Sequence, residues 1–126
     1  MKRNFDLVRH IMARIESVRP GSFTDETTYL HDLGGEYEPV TIYAHIELLL
    51  EEKFIKGKIH KNHDDIIDAL HITGLTWKGH DFVDASKDES IWMKAKETIL
   101  KPTVSITFSL LLEWLKEEAK KKLGLP

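Results

Sequence analysis

The chain has seven histidines and no cysteine, so its candidate chemistry begins with imidazole and carboxylate. Without thiols, disulfide scaffolds, thiolate zinc sites and cysteine nucleophiles are excluded. His60-x-x-His63-Asp64-Asp65 is the one run in which nitrogen and oxygen ligands fall at metal-binding spacing. Two histidines three apart do not complete a tetrahedral site and nothing nearby supplies the rest, so no metal or other cofactor is expected. A regulator sensing metal or a small ligand through His60 and His63 stands as a third reading behind the two developed below. No Ser or Thr lies in a nucleophile-elbow context, no Gly-rich phosphate loop precedes a helix, and no His-Glu-x-x-His is present. The carboxylate pairs Asp64 and Asp65, and Glu117 and Glu118, are adjacent in polar stretches and read as solvated charge. The expectation is a protein that is not an enzyme.

What remains are groups suited to binding phosphate. The net charge of -3 is segmented. Residues 21–52 hold eight acids and no Lys or Arg, whereas residues 53–63 hold four lysines and no acid. Contacts to double-stranded DNA would therefore draw on Lys2, Arg3 and Arg9 near the start and on Lys56, Lys58, His60 and Lys61 in the middle, with Thr41 and His45 as donors on an intervening helix. That helix also carries Glu38, Glu47, Glu51 and Glu52, whose field repels phosphate. The same acidic face suits the alternative reading, a module that docks on another protein and touches no DNA.

The elements that must position these groups follow from periodicity. With 126 residues, 41% hydrophobic and 31% charged, the chain has the size and composition of one globular domain. It shows neither a membrane-length apolar run nor a secretory signal, so a cytoplasmic location is expected. Val8, Ile11, Met12 and Ile15 fall at helical spacing, which predicts a helix from Asn4 to Val18 with Asn4 as its cap. Thr27 to His31 favours a short strand, although Leu30 and Leu33 also fit a helical turn. Pro39 opens a second helix reaching about Lys53, with Ile42, Tyr43, Ile46, Leu49 and Leu50 on its apolar face and His45 on the other. Phe54 to His60 and Ile66 to Leu75 read as a hairpin around Lys61-Asn62-His63-Asp64-Asp65. Thr76 caps a short helix to about Ser86, in which Gly79 permits close approach to the sheet. Asp88 or Ser90 caps a further helix up to Pro102, and a last helix runs from Thr103 or Ser105 to Leu123.

This order predicts a mainly α fold with a small β-sheet: a winged helix-turn-helix-like domain over residues 1–86, then a C-terminal helical extension over 87–126. The interval between Val18 and Pro39 shows no second amphipathic helix, so the helix-turn-helix is expected to be shortened or distorted. On the last helix Phe108, Leu111, Leu112, Leu115 and Ala119 form one face, which Ile106, Leu110 and Trp114 widen. Such a width asks for a second partner, and Ile106, Leu110, Leu111, Trp114 and Leu115 are the candidate interface of a homodimer.

Several stretches resemble an uncharacterised bacterial family, a domain of unknown function found mostly in phages and prophages. They are Met1 to Arg9, His45-Ile46-Glu47-Leu48-Leu49 running into Phe54-Ile55, Leu75 to Ala85, Ile91-Trp92 and Lys120 to Leu125. The match spans nearly the whole chain, though Ala44 stands where the family has an aromatic and Lys53-Phe54 where it has Gly-Leu. The resemblance implies a small winged-helix protein without assigned catalytic residues. The functional expectation is a DNA-binding regulator or accessory factor, the alternative being the protein-interaction module, docked on a host or phage protein.

Overall fold

The computed structural model describes residues 2–17 and 37–126, which form two compact units, Met1–His80 and Asp81–Pro126. The fold is mainly α with a small β-sheet, consistent with a winged-helix-like arrangement. The strand expected at Thr27 to His31 lies outside the described residues, as does the connection in which a second helix was sought.

In the first unit, α1 spans Phe5–Ser17 and buries Leu7, Val8, Ile11, Met12 and Ile15, the stripe expected from spacing. The Asn4 side-chain carbonyl accepts from Leu7 N–H at 3.1 Å, capping a free donor of the first turn. Helix α2 spans Pro39–Glu51 and opens on its proline, where a missing N–H costs nothing. It ends in a Schellman pattern, Phe54 N–H to Leu49 carbonyl at 2.9 Å and Lys53 N–H to Leu50 carbonyl at 3.1 Å, which holds Lys53 at φ 60°. Lysine here thus occupies a left-handed backbone, which glycine would adopt without strain.

Strands β1 (Ile55–Lys61) and β2 (Ile67–Leu75) form the antiparallel hairpin. Asn62 organises its turn, its side-chain carbonyl accepting from Asp64 N–H at 2.9 Å and Ile66 N–H at 3.1 Å. Two register shifts, between Lys56 and Gly57 and between His60 and Lys61, interrupt the ladder. Thr76 then caps α3 (Trp77–Ser86) through Gly79 N–H at 3.0 Å while its hydroxyl donates to Lys53 carbonyl at 2.6 Å. A Cβ on Gly79 would stand 2.0 Å from Phe54 carbonyl oxygen, so glycine is required by close approach of the helix to the strand entrance.

In the second unit, Asp88 caps α4 (Glu89–Thr98) by accepting from Ile91 N–H at 3.0 Å, and Thr107 caps α5 (Phe108–Lys122) by accepting from Leu110 N–H at 3.1 Å. Both bounds differ from expectation. Helix α4 stops four residues before Pro102, since Ile99 and Leu100 N–H both turn back to Ala95 carbonyl, and α5 waits for the hydroxyl at Thr107 instead of starting at Thr103 or Ser105. Phe82 joins this unit's aromatic core, edge-on to Trp92 at 6.4 Å and tilted to Phe108 at 4.8 Å. The Nζ of Lys94 reaches Glu118 at 2.8 Å, and that of Lys122 reaches Asp88.

Candidate functional site

Strand alternation sorts the hairpin's cations. Lys56, Lys58 and His60 are exposed on one face of β1, whereas Gly57, Ile59 and Lys61 turn to the half-covered face beside α2. Lys58 stands across from His71 in the register, adding a second imidazole to the exposed face. On that face the Nδ1 of His60 lies 2.5 Å from Asp68.

Lys61 leaves the candidate set on this ground. Its ammonium is 2.7 Å from Glu47 on α2 and 3.7 Å from Asp65 in the turn, and the hydrogen bond to Glu47 is the main cause of its raised pKa. This ion pair fastens the hairpin to the helix. Nor are His60 and His63 brought together: His60 meets Asp68, while His63 stands in the turn 3.9 Å from Asp64. Among the described residues no three His, Asp or Glu side chains gather to hold a metal ion.

His45 is the main correction. The expected DNA donor is 1% exposed and lies within the core. Its Nδ1 is 2.8 Å from Thr41 carbonyl and its Nε2 accepts from Asn4 N–H at 2.9 Å, so the ring hydrogen belongs on Nδ1. Nδ1 is thereby spent within α2 itself, and Nε2 joins the middle of α2 to the chain entering α1. The signal was present: Ile42, His45, Ile46 and Leu49 occupy i, i+3, i+4 and i+7, the spacing of one buried stripe. Polarity of the side chain masked it. Thr41 is half-buried and its carbonyl is engaged by His45.

The outward face of α2 therefore consists of Val40, Ala44, Glu47 and Glu51, one helical turn apart, with no Lys or Arg from Tyr37 to Glu52. Glu47, Leu50 and Glu51 line an open groove with Gly57, Ile59 and Lys61, of about 500 Å³. Of the basic residues near the start, Lys2 and Arg3 are exposed, the guanidinium of Arg3 lying 5.7 Å from the Phe5 ring centre. Arg9 is half-buried on α1. The bond from Asn4 to His45 anchors the segment bearing Lys2 and Arg3 against α2. His80 is exposed, with its Nδ1 3.8 Å from Glu16.

The candidate dimer residues divide in the same way. Leu111 and Leu115 are fully buried within the chain and cannot serve as a surface, whereas Leu110 is exposed and Ile106 and Trp114 are half-buried.

No helix among the described residues is long and apolar enough to cross a membrane. A protein of Haemophilus influenzae, described as uncharacterized, is 26% identical over 107 residues, which cover 85% of this chain and 86% of that one. No solved structure matches the chain. The family model described as hypothetical protein (DUF2513) matches residues 2–105, a span that includes α1, α2, the hairpin, α3 and α4, and the chain belongs to this family.

Proposed function

We propose that this protein is a non-catalytic, cytoplasmic DNA-binding regulator or accessory factor of phage or prophage setting, which grips the phosphate backbone through the exposed face of its hairpin. The observation that carries the reading is the alternation of β1. Lys56 and Lys58 share one exposed face with His60, whose ring is engaged by Asp68, and consecutive members of such a row are about 6.7 Å apart, a spacing suited to a row of phosphates. Lys2 and Arg3 supply further exposed cations. Helix α2 is assigned no part in base readout, because its outward face carries no Lys or Arg and the exposed Glu51 on it repels a groove lined by phosphates. Binding is thus expected to be tolerant of sequence and steep in salt.

Fluorescence anisotropy with a mixed-sequence duplex, titrated at low and near-physiological salt, tests this. Replacing Lys56 and Lys58 together by alanine is expected to lower the slope of log K against log salt by about 2, since each phosphate contact contributes about 0.9. A slope unchanged by the double substitution refutes the assignment. Absence of binding even at low salt refutes the reading altogether and favours the second one, a protein-docking module. What supports that second reading is the groove in which Glu47 and Glu51 flank the apolar Leu50 and Ile59.

A further inference from the structure

We propose that Trp77, at the foot of the hairpin, is a stacking platform for an unpaired base of single-stranded DNA, with Lys53, Lys56 and Lys78 on the flanking phosphates. This rests on the DNA-binding reading above and names a further class of substrate for the same unit. Trp77 opens α3 and is 86% exposed, whereas Trp92 is 1% exposed. The backbone that carries it is fixed from behind. Thr76, just before it, donates its hydroxyl to the Lys53 carbonyl at 2.6 Å and its N–H to the Phe54 carbonyl at 3.1 Å. A large aromatic ring is thus held in water by a braced segment of chain.

Charge identifies the occupant. Lys78 follows Trp77 directly, its Nζ 4.5 Å from the Phe54 ring centre and 3.3 Å from the Glu52 carbonyl. Lys56 reaches over Gly74, its Cε 3.7 Å from where a Cβ there would stand, and three residues of chain set Gly74 and Trp77 no more than about 11 Å apart. Lys53, Lys56 and Lys78 are all exposed, and among the described residues no carboxylate pairs with them. Of the acids close by, Asp81, one turn further along α3, is 3.7 Å from Lys116, and Glu16 lies 3.8 Å from His80, which leaves Glu52 against three ammonium groups. A ring meant for another protein's apolar surface sits among apolar neighbours, with charge kept from the centre. Here the other exposed large apolar residues described in this unit, Val40 and Ile66, lie at the opening of α2 and at the end of the hairpin turn. An aromatic ring amid cations is the arrangement that takes a base together with its phosphates. Duplex bases are already stacked on their neighbours, so the ring gains from an unpaired one.

The test sets the full chain against oligo(dT) of about 12 nucleotides and a mixed-sequence duplex of the same length, both at low salt, with anisotropy of the labelled DNA as the readout. The parent is expected to bind oligo(dT), and unlabelled oligo(dT) to quench its tryptophan emission through the exposed Trp77. Trp77→Ala is expected to weaken oligo(dT) binding roughly 5- to 150-fold, the loss of one stacked base, while duplex binding and the far-UV circular dichroism spectrum stay as in the parent. Trp77→Phe keeps a ring and is expected to restore most of the affinity. Oligo(dT) binding that is absent, or equal in the parent and Trp77→Ala, overturns the proposal whatever the duplex shows, as does an equal loss on both DNAs. Trp77-dependent binding of oligo(dT) without any binding of duplex upholds it while refuting the duplex reading.

Discussion

Substituting His45 separates its structural role from a role in binding. The ring is buried, and its two nitrogens serve Thr41 carbonyl at 2.8 Å and Asn4 N–H at 2.9 Å. His45→Phe fills the site with a slightly larger ring but leaves Asn4 N–H without its acceptor, and a donor left in this way costs about 1–3 kcal/mol. Taking the middle of that range, with a fraction of a kcal/mol for the lost second bond, gives about 2 kcal/mol. His45→Ala adds a cavity where the ring stood and is expected to cost about 3–4 kcal/mol. Against a total stability of about 5–15 kcal/mol, either loss is large. Thermal melting followed by circular dichroism should show it as a fall of about 8–16 °C, at about 4 °C per kcal/mol for a domain of this size. DNA affinity of the folded variant, measured well below its melting point, is expected to keep the contribution of Lys56 and Lys58, because the buried ring touches no phosphate itself, and to lose at most that of Lys2 and Arg3, which the Asn4–His45 bond anchors. A His45→Ala protein that melts like the parent would refute the argument.

Two further outcomes follow from backbone and charge. Lys53 holds a left-handed φ of 60° at the end of α2, so Lys53→Gly is expected to stabilise by up to about 1 kcal/mol, read as a higher urea midpoint with unchanged slope; destabilisation would mean that the lysine side chain earns its place by contacts. The carboxyl of Asp88 is held well below its usual range by Lys122 first, then by the Ser90 hydroxyl and Ile91 N–H. A depressed native pKa contributes stability above the unfolded value of 3.8 and loses it as pH falls through the native value. Asp88→Ala should therefore lower the melting temperature at neutral pH, with the difference from the parent shrinking below about pH 4. A difference constant into strong acid would count against the charge-based account.

Local signals made much of this molecule legible. The stripe at Val8, Ile11, Met12 and Ile15, the proline opening α2, the polar turn of the hairpin and the caps at Thr76 and Asp88 all act within a few residues of themselves. Periodicity, capping and turn chemistry are short-range by nature, so they survive reading along a line. The row Lys56, Lys58 and His60 was available for the same reason, because alternation in a strand fixes a common face before any partner is known.

Long-range pairing decided the rest. Nothing local to His45 announces that an amide 41 residues earlier will need its Nε2, and nothing local to Lys61 announces that Glu47 will take its charge. Both residues looked like surface donors because polar side chains are ordinarily solvated; folding brought each a partner that made burial or pairing the lower-energy state. Leu111 and Leu115 show the converse. Their apolarity required burial without saying against what, and the chain's own interior took them while Leu110, one residue away on the helix, was left outside. Composition and spacing determined which residues leave water and which elements form; only the tertiary structure decided with whom each polar group pairs, since that depends on distances that the chain closes by folding.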